Sequence, residues 1–100
     1  MQYLIDWSQT KNGKKTGLGG GFAYGKTAKD AIENYLVTGV NSDAPVVTEK
    51  EYSKRKTVKN DNGEPIGYSV ELGDGSIISA IIYGLRATEY CTLRAYDITL

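Results

Sequence analysis

The stretch GGFAYGKT, Gly20 to Thr27, fits G-x-x-x-x-G-K-[ST] letter for letter. In that pattern backbone N–H groups of a loop wrap phosphates, the lysine reaches the outer phosphates and the hydroxyl holds a metal ion. The chemistry requires a buried strand running directly into the loop. Here Lys14-Lys15-Thr16-Gly17-Leu18-Gly19 precedes it, and that is no buried strand. Within the stretch, Phe22 and Tyr24 alternate as strand residues do. Downstream, Ala95-Tyr96-Asp97 is a poor substitute for an apolar strand ending in a metal-binding aspartate. Local roles suffice for each residue: Gly25 for a turn, Lys26 for solvent, Thr27 for a helix cap. No nucleotide and no other cofactor is expected.

Other catalytic chemistry has little to work with. The chain has 0 histidines, the usual general acid–base group, and 1 cysteine, Cys91. A Cys91 nucleophile would need an activating base, and its place in an alternating run fits a buried small hydrophobe. The carboxylate pairs Glu49/Glu51 and Asp61/Glu64 stand in exposed-looking stretches, the first beside Lys50, and read as solvated charges. Neither a Cys/His metal cluster nor an intramolecular disulfide can form. The expectation is a protein that is not an enzyme.

Binding chemistry is better represented. Lys54-Arg55-Lys56, with Lys50, Lys59 and Tyr52 nearby, could neutralise phosphates while Tyr52 stacks on a base. The competing reading is a solvated sheet edge on which lysines discourage strand pairing, and Glu49 and Glu51 dilute the charge. A second basic group, Lys14, Lys15 and Lys26, stands near Tyr24. From Lys11 to Lys29 there are 5 lysines and no acid, whereas Asp61 to Asp74 holds 4 acids and no base. Tyrosine supplies 8 of the 10 aromatics, and Tyr24, Tyr52, Tyr90 and Tyr96 are candidates for partial exposure at an interface.

The elements that must position these residues follow from periodicity. Tyr3–Trp7 is rich in β-formers, and Asn12-Gly13 suits a type I′ turn, so a hairpin is expected with a second arm irregular at its glycine-rich start. Ala28, Ala31, Ile32, Tyr35 and Leu36 form one apolar stripe on a helix capped by Thr27 and ended by Gly39. Thr48 and Glu51 have capping-box spacing, which predicts a short helix over Glu49–Arg55 and then a strand over Lys56–Lys59. Asp61-Asn62-Gly63 and Gly73-Asp74-Gly75 mark turns around a strand with Tyr68, Val70 and Leu72 on one face. SIISAIIYGL, apolar on both faces, predicts a central strand. YCTLRAYDITL predicts a last strand with a bulge near Ala95–Asp97. The sum is an α+β fold in one domain, 1–100, with a single twisted antiparallel β-sheet of about five strands and one main helix packed on one face.

Bulk properties set the context. With 100 residues, 12 basic and 12 acidic, whole-molecule electrostatics favour no partner class. The opening MQYLIDWSQT lacks a basic region followed by a long apolar one, and no apolar run is long enough to span a bilayer. A cytoplasmic location without membrane attachment is expected; for a phage-encoded protein that is the host cytoplasm.

The opening pattern Tyr3-Leu4-Ile5-Asp6, a polar loop, Phe22, then Thr27-Ala28 with Ala31 and Leu36, resembles the start of some small phage anti-CRISPR proteins. The resemblance covers roughly the first 40 residues plus overall size. It implies a small non-enzymatic inhibitor that occludes a host protein or ribonucleoprotein complex. Strand-then-helix units with a threonine cap are also similar to HicB-like antitoxins, although those carry an acidic turn where this chain has lysines and glycines. The alternative is thus a nucleic-acid-binding or antitoxin module using Lys54–Lys59, and a homodimer is compatible with either. Expected partner-binding residues are Lys14, Lys15, Tyr24, Lys26, Tyr52, Lys54, Arg55, Lys56 and Lys59.

Overall fold

The computed structural model describes residues 2–39 and 42–84. The chain opens with β1 (Gln2–Lys11), and its β-branched and aromatic residues alternate sides so that Tyr3, Ile5 and Trp7 are buried. Asn12 (φ 55) and Gly13 (φ 78) both adopt the positive φ that a two-residue I′ turn demands. β2 (Lys14–Tyr24) returns antiparallel to β1 along its whole length. The expected irregularity at its start is confined to one residue: Gln9 pairs with Gly17 and Thr10 with Lys15, leaving Thr16 as a bulge. The glycines themselves run as regular strand.

Helix α1 (Ala28–Glu33) starts where expected, Thr27 accepting from the Asp30 N–H at 3.1 Å. The apolar stripe is fully inside, with Ala28, Ala31, Ile32, Tyr35 and Leu36 at most 1% exposed. As an α-helix it is shorter than the sequence suggests, because Asn34–Thr38 winds as π-helix before Gly39 (φ 70) ends it. The Thr38 hydroxyl bonds back to the Asn34 carbonyl in that wider turn. The returning loop docks there, the Val47 N–H donating to the Leu36 carbonyl at 2.9 Å while Val47 is buried.

Helix α2 (Glu49–Ser53) has the full capping box, but it ends two residues before the expected Arg55. Lys54 and Arg55 close it with tighter bonds to the carbonyls of Glu51 and Tyr52. Then come β3 (Lys56–Lys59), β4 (Pro65–Glu71) and β5 (Ile77–Gly84). Among the described residues these make one five-stranded antiparallel sheet in the order β2-β1-β5-β4-β3, with the apolar run of β5 at its centre as read from sequence. The expected strand over YCTLRAYDITL, its bulge, Cys91, Tyr90 and Tyr96 lie outside the described residues.

One face of the sheet carries the core: Tyr3, Ile5 and Trp7 from β1, Ile78, Ala80 and Ile82 from β5, and Tyr68 and Val70 from β4, closed over by α1 and α2. Each fully buried isoleucine there contributes about 1.5–3 kcal/mol. The other face has no helix on it among the described residues, and this asymmetry frames the site.

Candidate functional site

Period-2 alternation decides what reaches the open face. From β2 it receives Leu18, Gly20, Phe22 and Tyr24; opposite them stand Ser8, Asp6, Leu4 and Gln2 of β1, and next to those Ser79, Ile81 and Tyr83 of β5. Leu18 is 68% exposed, Phe22 47% and Tyr24 48%, and Ile77 of β5 adds a fourth large exposed apolar group on the same face. Because Gly20 has no side chain, a hollow of about 290 Å³ opens between Leu4, Asp6 and Tyr83. The Gln2 side-chain amide donates to the Tyr24 hydroxyl at 3.0 Å and holds that ring at the strand end.

On the core side, β2 presents Gly17, Gly19 and Gly21 opposite Gln9, Trp7 and Ile5. The Trp7 ring lies across this glycine column: a Cβ on Gly19 would stand 2.9 Å from the indole nitrogen, and one on Gly17 3.4 Å from the ring. The Trp7 indole N–H donates to Asp43 Oδ1 at 2.8 Å and the Tyr35 hydroxyl donates to the same oxygen at 2.9 Å. These two donors, Trp7 first, hold the Asp43 carboxyl below the usual aspartate range. Burial, reinforced by the adjacent carboxylate, pushes the Tyr35 hydroxyl up. Nearer the helix, a hollow of about 310 Å³ lies between Ala23, Tyr24, Asn34, Tyr35 and Thr38.

The GKT stretch therefore forms no phosphate loop. Gly20–Tyr24 is strand paired to β1, Thr27 is the helix cap, and Lys26 is exposed between them. Gly25 does more than turn the chain, since a Cβ there would meet the Ala31 nitrogen at 2.5 Å. It lets the strand end pack against the first turn of α1.

The expected binding residues fall into two groups at opposite edges of the sheet, about 19 Å apart for four strand spacings. Lys14 and Lys15 are exposed at the hairpin end of β2, with Lys26 and Tyr24 at its other end. Lys54, Lys56 and Lys59 are exposed near β3. Lys50, Lys54 and Lys56 do converge on a cleft of about 490 Å³, but Glu51 and Glu71 line it too.

Two members of the second group are not available as expected. Tyr52 is 3% exposed, so it cannot stack on a base. The Arg55 guanidinium carbon lies 4.6 Å from the ring centres of both Tyr52 and Tyr68, rings that meet edge to face with centres 6.0 Å apart, so it makes a cation–π contact with each. Helix geometry places them: Tyr52 faces the sheet from α2 and is buried, and the tight turn after Ser53 folds the half-buried Arg55 back over it, Arg55 Nη1 donating to the Tyr52 carbonyl at 3.3 Å. Burial drives the Tyr52 hydroxyl strongly upward, and that hydroxyl has no hydrogen-bond partner.

Leu18 and Phe22 were missed as surface residues, although their alternation with glycine signalled it: strand neighbours without side chains leave them standing alone. Asp43 gave no signal, since its partners are 36 and 8 residues away. Among the described residues no three or more metal-ligating side chains cluster, and no helix is long and apolar enough to cross a membrane. Comparison with protein-family models, curated proteins and solved structures finds no match to this chain.

Proposed function

We propose that the protein is a non-enzymatic binding protein that occludes a macromolecular partner, of the phage or mobile-element inhibitor type. The observation supporting this reading is the open face, where Leu18, Phe22, Tyr24 and Ile77 stand exposed on one side of a continuous sheet. Large apolar side chains gathered on one face mark interaction surfaces, and tyrosine gives large contact area at low entropic cost. Lysines at both ends of β2 add long-range attraction toward an acidic or nucleoprotein surface. The test is a set of reconstituted CRISPR effector complexes cleaving target nucleic acid. The protein is expected to abolish cleavage by one of them at about one copy per complex, and Leu18→Asp combined with Phe22→Asp is expected to restore it. If every effector retains full cleavage in the presence of excess protein, the inhibitor reading fails.

A further inference from the structure

The two edges of the sheet are built differently. β3 offers 4 residues, with an exposed lysine at each end. β2 offers 11, and from Thr16 to Tyr24 its own residues carry no charge and no proline. Among the described residues β1 is its sole strand neighbour. Tyr24 directs its carbonyl away from β1, where the Asn34 side-chain amide donates to it at 2.8 Å. Alternation along an antiparallel strand then places the N–H and C=O groups of Phe22, Gly20 and Leu18 in the same outward set. A hollow beside Ala23, Tyr24 and Asn34 borders the Tyr24 end of this edge on the core side, while the Gly20 hollow lies inboard over β1. Strand addition uses such an edge: backbone bonds give affinity, and side-chain hollows beside it add specificity.

Charge selects the occupant. Lys14 and Lys15 stand at one end of the edge and Lys26 at the other, about 30 Å apart for an extended strand. Asp6 and Asp43 lie beside its middle, next to Gly20 and Gly19. A second copy fits poorly, because antiparallel self-pairing about Gly19 or Gly20 brings the Lys14–Lys15 end of one copy against Lys26 of the other. We infer that the β2 edge accepts an extended segment of another polypeptide as an additional strand, with acidic residues toward both of its ends and none in its apolar middle. This rests on the binding-protein reading and deepens it by naming the mode and the chemistry of the partner.

The test is a selection of random linear 12-residue peptides displayed against the intact chain. Sequences with Asp or Glu at both ends of an alternating apolar centre are expected to be enriched. A synthetic peptide of the enriched type is expected to bind about tenfold more weakly to the Lys14→Glu/Lys15→Glu protein at low salt, and to lose binding when alternate backbone nitrogens on its pairing side are methylated. In hydrogen exchange of the free protein at micromolar concentration, the Leu18, Gly20 and Phe22 amides are expected to exchange fast and to slow on adding the peptide. No acid-flanked enrichment, or binding indifferent to both N-methylation patterns, overturns the proposal. So does protection of those amides in the free chain, which would give the edge to a second copy or to residues 85–100. A failed cleavage assay alongside a successful selection removes the inhibitor reading and leaves strand addition standing.

Discussion

The β3 edge and the β2 edge of this sheet handle the same hazard, unpaired backbone at a sheet margin, in opposite ways. At β3 the strand is short, lysines flank it, and the adjoining surface is closed by Arg55 packed against Tyr52 and Tyr68. At β2 the strand is long, its middle is glycine and exposed apolar side chains, and its own charges are confined to Lys14 and Lys15 at the hairpin end. The first is how soluble proteins suppress edge pairing, and the second omits those guards over the same length that presents an apolar face. The comparison teaches that charge on a small neutral protein informs less by its sum than by which margin lacks it.

The contrast breaks most visibly at the guarded side. Tyr52→Ala is expected to cost about 3–5 kcal/mol in urea unfolding, because it opens a cavity beneath α2 and removes one of the two rings that Arg55 rests on. Tyr52→Phe is expected to change stability by less than about 0.5 kcal/mol, since the lost hydroxyl has no partner. The same pair separates alkaline behaviour. Burial raises Tyr52 in the folded state, so its contribution is complete below about pH 10, the unfolded value, and is lost as pH rises through the folded one. Tyr52→Phe should flatten that alkaline fall.

At the open side the effects are smaller and sharpen the role of the glycine column. A Cβ at Gly19 would stand 2.6 Å from Asp43 Oδ2, so Gly19→Ala is expected to cost about 1–3 kcal/mol by displacing Asp43 from Trp7. A Cβ at Gly17 makes ordinary contact at 3.4 Å, so Gly17→Ala is expected to be neutral or stabilising by about 0.5 kcal/mol. Equal losses at both positions in thermal melts would refute the ring-over-glycine account.

Asp43→Ala should cost about 1 kcal/mol at neutral pH, since two ring donors lose their acceptor at a site that water reaches. The Asp43 carboxyl is depressed in the folded state, so its stabilisation is present above the unfolded value near about 4 and disappears as pH falls through the folded one. The gap between parent and variant should therefore stay constant above about pH 5 and close in more acidic solution. Smallest of all, Lys56→Thr with Lys59→Thr should shift the melting midpoint negligibly but raise concentration-dependent association in sizing runs.

What could be read from sequence was what depends on near neighbours. Asn12-Gly13, the Thr27 cap, the Ala28–Leu36 stripe, Gly39 and the Thr48/Glu51 box each involve residues within eight positions, and each stands where expected. The π-wound Asn34–Thr38 segment was not legible, because α and π turns share the same apolar stripe over so short a span. Tyr52 and Arg55 were read as surface residues because their cover, Tyr68, arrives from a different strand. The glycine run looked irregular because glycine disfavours strands on its own. Here β1 imposes extension through pairing, and the Trp7 ring requires the space. Asp43 was invisible for the same reason, its purpose being set by rings on β1 and the π-turn.

Trp7 is the 1 tryptophan in the chain, and its ring rests on Gly17 and Gly19 of the edge strand with its N–H on a titrating carboxylate. The protein thereby carries its own optical sensor at the margin most open to visitors. Intrinsic fluorescence excited through that single indole reports on the β2 edge and on Asp43 ionisation without any label. The same cuvette can then follow an arriving strand, an acid titration and an unfolding curve, each read from one ring.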